Sequence, residues 1–174
     1  AGLGIDYRRI LDFVEKGDLI RIKSGYYTIR IGDYSEDELI AKLFPDAVLT
    51  MECALYVYGY IKRKPYGYQV AVDKNTSKSR FKLEFPKVTP FYAEPETLQF
   101  GVDSIDFGNA KMQIFDKDRL ICECLKYEDK MERTVFKEGV LSYIKDEKKD
   151  VAKLMKYARA RRVVKKVQSM IGVW

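Results

Sequence analysis

The chemistry most visible in this chain is anion and base-edge recognition, concentrated in the segment "IDYRRILDFVEKGDLIRIKSGYYTIRI". Tyr7, Arg8 and Arg9 open a short amphipathic stretch and Lys16 stands at its end. Arg21, Lys23, Ser24, Gly25 and Tyr26 follow on two short runs of alternating apolar residues around a Lys-Ser-Gly turn. An arginine fork can pair with the Hoogsteen edge of guanine by two hydrogen bonds, and tyrosine can pack on a sugar or a thymine methyl. Lysine, a serine hydroxyl and a glycine amide hold phosphate.

Other chemistries fit less well. There is no histidine, so the usual neutral-pH general base and the commonest metal ligand are missing. Cys53, Cys122 and Cys124 are too few for a four-cysteine zinc site. Their odd count, with two of them facing different ways on a helix, reads as reduced thiols of a cytoplasmic protein. Glu128-Asp129-Lys130, with Asp116 and Asp118 upstream, matches a nuclease-like acid pattern. It falls in a helical stretch beside Lys126 and Arg133, where a solvated face is the simpler reading. "AGLGID" has no preceding strand and no third glycine, so it is not a dinucleotide fingerprint. The expectation is a non-enzyme with no cofactor and no metal. No apolar run approaches a membrane span, and no membrane partner is expected.

The elements that must position the basic residues follow from periodicity. Ile10, Phe13 and Val14 lie at helical spacing and predict a helix over 6–16, closed by Gly17. Strands are expected at 19–23 and 26–31, with Gly25 supplying the turn. Ser35 and Glu38 form a capping box for a helix ending before Pro45. A second helix is expected from residue 50 to about 58. From residue 66 to 115 the period becomes two, and "YQVAVD", "RFKLEF", "VTPFYA", "LQFGVDSIDF" and "KMQIF" predict a meander-like, mostly antiparallel sheet. Helical spacing then returns, and a phase slip across residues 159–162 divides the tail into two short helices. Tyr56, Tyr58, Tyr60, Tyr66 and Tyr68 crowd beside a basic stretch. They read as a seam between elements in preference to a stacking surface for single strands, and exposure of the ring faces decides between the two.

The net charge of +6 is unevenly placed. Residues 62–87 carry a balance of +6 and residues 151–174 one of +7, with no acid in the latter; residues 1–61 and 88–115 each carry −3. Segregated positive charge suits a polyanion or an acidic partner. Lys156, Arg159, Arg161, Arg162, Lys165 and Lys166 therefore form a candidate secondary basic surface.

A helix, a glycine and a tight basic hairpin make up the second half of a winged helix-turn-helix, whose helix enters the major groove while the hairpin serves as the wing. The plainer alternative is a helix–hairpin unit that serves protein contacts. "LGIDYRRILDFVEKGDLIRIKSGYYTI" resembles the winged helix of the AbiEi antitoxins, with their Gly-hydrophobic turn, Arg-bearing helix, Gly-x-Leu-x-Arg/Lys-Ile run and Gly-x/Tyr-Tyr. "PDAVLTMECALYVYGYI" resembles the helix joining that family's two domains. "FDKDRLICECLKYEDKM" resembles its "ERT-x-x-D" helix, with Glu123 as the acid on a helix that also carries Arg119. "VFKEGVLSYIKDEKKDVAKLMKYARARRVVKKVQSMI" resembles its C-terminal helices.

The resemblance implies a transcriptional autorepressor that binds inverted repeats in double-stranded promoter DNA. It also implies the antitoxin of a type IV toxin–antitoxin (abortive phage infection) system, countering a nucleotidyltransferase-like toxin without a stable complex. The expected fold class is α+β: a partial winged helix-turn-helix at 1–33, with an N-terminal segment expected before it, then connecting helices at 34–64 and a C-terminal domain at 65–174. The alternatives are a non-catalytic interaction module or, less favoured, a nucleic-acid-processing enzyme.

Overall fold

The computed structural model describes residues 6–23, 25–29, 35–83 and 85–172. Helix α1 (Tyr7–Glu15) begins at Asp6, whose carboxylate accepts the Arg8 amide at 3.0 Å and so satisfies one of the free donors of the first turn. Gly17 follows at φ +76°, in the left-handed region that ends helices. Strands β1 (Ile20–Lys23) and β2 (Tyr26–Thr28) pair antiparallel, with Ile20 opposite Thr28 and Arg21 opposite Tyr27. The expected helix and hairpin are thus both present; β2 is Tyr26–Thr28, and positions 30 and 31 of the expected second strand lie outside the described residues.

In α2 (Glu36–Leu43) the Ser35 hydroxyl accepts the Glu38 amide at 3.2 Å. The Glu38 carboxylate goes to Lys42 and Asn109, so only one direction of the capping box forms. The chain continues through β3 (Val48–Leu49), α3 (Met51–Val57), β4 (Tyr68–Asp73), β5 (Val88–Ala93), α4 (Pro95–Leu98), β6 (Val102–Phe107) and β7 (Ala110–Phe115). Four further helices follow: α5 (Lys117–Lys126), α6 (Arg133–Lys145), α7 (Val151–Arg161) and α8 (Val164–Ile171).

The fold is mixed α+β, but the sheet is not the expected antiparallel meander. Its order is β5-β4-β3-β7-β6, with β4–β5 and β3–β7 parallel and β3–β4 and β6–β7 antiparallel. Two local facts explain the difference. The described residues of "RFKLEF" do not form a strand: residues Lys78–Phe81 wind into a 3₁₀ turn, where Phe81 stacks on Phe44 and Arg80 bonds the Asp46 carboxylate while lying over the Phe44 ring. Without that intervening strand, β5 returns parallel to β4. The segment expected as connecting helices also supplies the central strand, since Val48 and Leu49 are fully buried between β4 and β7. Two residues are too few to show a period of two. Both sheet edges carry residues that discourage further pairing, Pro90 on β5 and the exposed Asp103 and Asp106 on β6.

The core lies between this sheet and α5, whose Leu120, Ile121, Cys122, Cys124 and Leu125 are all buried. Each such leucine or isoleucine contributes about 1.5–3 kcal/mol on burial. Helix α7 covers α5 and ends at Arg162, which adopts the left-handed conformation. The expected break in the tail is therefore present. Among the described residues no helix is long and apolar enough to cross a membrane.

Candidate nucleic-acid interface

The start of α1 is open. Tyr7, Arg8 and Arg9 are exposed, and no side chain of the helix is buried. Arg21 points outward on β1, while its neighbour Ile22 packs against the core and anchors the hairpin. Tyr26 is exposed at the start of β2. Gly25 turns the hairpin at φ +82°, with nothing near the position a Cβ would take. Lys16 is already engaged: its ammonium sits 2.7 Å from Asp12, whose hydrogen bond and charge raise its pKa. Ser24 and the Lys23 side chain lie outside the described residues, as do residues 1–5, where the turn into α1 is expected.

The basic tail divides. Lys156, Arg159, Arg162 and Lys165 are exposed on α7 and α8. Arg161 does not belong to that surface, being 5% exposed, with Nε donating to Glu123 Oε1 and Nη2 to Glu123 Oε2. Leu154, Ala158 and Arg161 lie at helical positions i, i+4 and i+7, so Arg161 continues the buried stripe of α7. Lys166 is half-committed, its Nζ 2.7 Å from the Leu125 carbonyl and 2.9 Å from Glu128.

Glu123 is the centre of an arrangement that sequence reasoning missed. It also accepts Arg119 Nε at 2.8 Å. Arg119 is fully buried between the rings of Phe100 and Phe115, 4.2 and 4.5 Å from their centroids. Burial pushes the Arg119 pKa down, against the attraction of Glu123. Burial also opposes the charge of Arg161, but its hydrogen bonds to Glu123 prevail and raise its pKa. The available signal was the i, i+4 pair Arg119–Glu123 within an otherwise apolar stripe.

The acids upstream are structural. Asp116 caps α5 by accepting the Arg119 amide at 2.8 Å and takes the Tyr157 hydroxyl at 2.9 Å. Asp118 is buried, against the expectation of a solvated face, and accepts the Tyr143 hydroxyl at 2.7 Å and the Asp150 amide at 3.0 Å. Burial pushes its carboxyl pKa up. Among the described residues no three His, Cys, Asp or Glu side chains are grouped as metal ligands would be. The three cysteines are free and buried, and burial raises the Cys53 and Cys122 thiols to about 12.

The tyrosines separate into two sets. Tyr60 and Tyr68 are buried, with hydroxyls on Asp146 and Asp37, and the Tyr58 hydroxyl reaches the Phe115 carbonyl at 2.9 Å. These three are the seam. Tyr56 and Tyr66 are 39% and 85% exposed.

No protein-family model matches the chain, and no curated protein matches it.

Proposed function

We propose that this chain is a DNA-binding autorepressor and antitoxin of a type IV toxin–antitoxin system, with α1 and the β1–β2 hairpin as a winged-helix reading head. The observation that carries the duplex-binding half is the exposure of Tyr7, Arg8 and Arg9 on the first turn of α1, together with that of Arg21 on a hairpin anchored by Ile22. The cap at Asp6 fixes where that turn begins, and exposed arginines there suit base edges and phosphate. The exposed cations of α7 and α8 add a second positive surface. The antitoxin half rests on the order of the AbiEi-like segments along the chain.

The test is binding to the promoter of the chain's own operon. A fragment with its inverted repeats should bind more tightly than a scrambled fragment, and affinity should fall steeply with salt. Equal binding to both fragments overturns operator recognition. Co-expression with the neighbouring nucleotidyltransferase-like toxin should restore growth, and persistent toxicity overturns the antitoxin role.

One observation favours a second reading, the interaction module. Leu11 and Phe13 are exposed on different sides of α1, a helix with no buried residue, and exposed apolar side chains suit a protein contact. On that reading Leu11→Ser with Phe13→Ser would abolish partner binding while promoter DNA was never bound.

A further inference from the structure

A cavity of about 530 Å³ opens between the end of α3 and the start of β4, within the size range of small-molecule sites. Val57, Ile61 and Phe107 give it apolar walls, and the Tyr56 ring borders it. Lys62 and Lys64 line its cationic side, and the Asp37 carboxylate is also in the lining.

The loop that carries the lysines is held in shape. Gly67 sits at φ +84°, and a Cβ there would come within 2.6 Å of the Lys87 carbonyl oxygen. The Cys53 thiol donates to the Gly67 carbonyl at 3.3 Å, and the Cys53 amide donates to Gln69 Oε1 at 3.0 Å. Asp37 is fixed by the Tyr68 hydroxyl. Tyr56, at the end of α3, is the exposed aromatic residue in the lining.

The charges are available for a ligand. Lys64 reaches Asp37 only at 3.7 Å, and Lys62 has no ion pair among the described residues. They belong to the stretch 62–87, whose eight basic side chains face two acids in the sequence. An exposed aromatic ring, an apolar slot, two ammonium groups and one carboxylate match one chemistry. A base stacks on tyrosine, its phosphate meets the lysines, and Asp37 accepts from a sugar hydroxyl or an exocyclic amine.

We infer that this cavity binds a nucleobase together with its phosphate, either as a free nucleotide or as one residue of a single strand. The site is separate from α1 and the hairpin and does not depend on duplex recognition.

Calorimetry on the full chain with ATP, with GTP and with a short single-stranded DNA oligonucleotide tests it. Tyr56→Ala should weaken binding about tenfold or more, the loss expected when one stacked base is released. Lys62→Ser combined with Lys64→Ser should also weaken it, and for the oligonucleotide should reduce the log–log salt slope by about 0.7 for each phosphate no longer neutralised. These positions are on the surface, and matching thermal melts verify the fold of each variant. Nucleotide binding that the oligonucleotide does not exceed assigns a free-nucleotide site, while markedly tighter oligonucleotide binding assigns a single-strand site. Absence of binding to all three probes overturns the inference. Affinities unchanged in both variants overturn it as well, as does inorganic phosphate competing as well as the nucleotides.

Discussion

Arg161 closes on Glu123 across 38 positions of sequence, one guanidinium spanning both oxygens of one carboxylate. The same carboxylate holds Arg119, so two buried cations depend on a single anion. Helix α7 is thereby tied to α5 by a charged contact inside an apolar seam.

Removing that anion should be severe. Glu123→Ala leaves both guanidiniums buried without their counter-charge, and breaking a buried pair in this way costs about 3–5 kcal/mol. Glu123→Gln keeps the shape and part of the hydrogen bonding and should fall between Ala and the parent. Urea unfolding measures both. A midpoint for Glu123→Ala within error of the parent would remove the cluster from the stability of the fold.

What was legible in the sequence follows from how local each determinant is. The α1–Gly17–hairpin order, the Ser35 cap and the break near Arg162 are set by neighbouring residues, and each is present. Strand β3 was hidden because two residues carry no period, and its burial comes from β4 and β7 far along the chain. "RFKLEF" alternates like a strand, yet Asp46 and Phe44 hold it in a turn. Arg161 looked like surface by composition, although its place on the stripe of α7 marked it as inward. The cavity beside α3 arises from residues spread between Asp37 and Phe107, and only its cluster of tyrosines and lysines was visible beforehand.

Arg162 occupies the left-handed region at φ +59° and ψ +41°, where a Cβ costs roughly 1–2 kcal/mol. Arg162→Gly relieves this and should raise stability by about 1 kcal/mol. Denaturant unfolding at fixed salt checks it, and a lowered midpoint would mean that the arginine side chain contributes more than its backbone conformation loses.

Asp146 accepts from Lys117 at 2.6 Å, from the Tyr60 hydroxyl and from the Lys148 amide at 2.8 Å. The Lys117 hydrogen bond is the leading cause that holds its carboxyl well below the usual range. A depressed carboxylate contributes stability that is full above the unfolded pKa of about 3.9 and fades as pH falls toward the folded value. Asp146→Asn should therefore lower stability at neutral pH and reduce the decline below about pH 4. Unfolding free energies taken across the acid range decide it. A variant with the parent's acid slope would rule out Asp146 as a source of that decline.

Arg8 and Arg9 are exposed on the first turn of α1. If one of them pairs with a guanine, its replacement by Ala should weaken promoter binding by about 1–3 kcal/mol and relax discrimination at that position. Competition titration with operator and scrambled DNA distinguishes the roles. Equal loss on both DNAs would make the pair phosphate contacts, and no loss on either would take α1 out of the interface.

The exposed cations of the tail form a sharper set than the composition suggested. Lys156, Arg159, Arg162 and Lys165 face solvent, whereas Arg161 and Lys166 hold Glu123, Glu128 and the Leu125 carbonyl. Changing the four exposed residues together to Ser should leave the fold intact, while Arg161→Ser alone should destabilise it by about 1–3 kcal/mol, since Glu123 keeps Arg119 as its counter-charge but loses both hydrogen bonds to α7. If the four touch duplex phosphate, promoter affinity should drop and the log–log salt slope should shrink by about 0.9 for each phosphate no longer neutralised. If they act in antitoxicity, repression should persist while growth in the presence of the toxin is no longer restored. A quadruple variant with the parent's salt slope and full rescue would reduce this face to solvated charge, leaving the helix–hairpin unit as the sole basis for duplex binding.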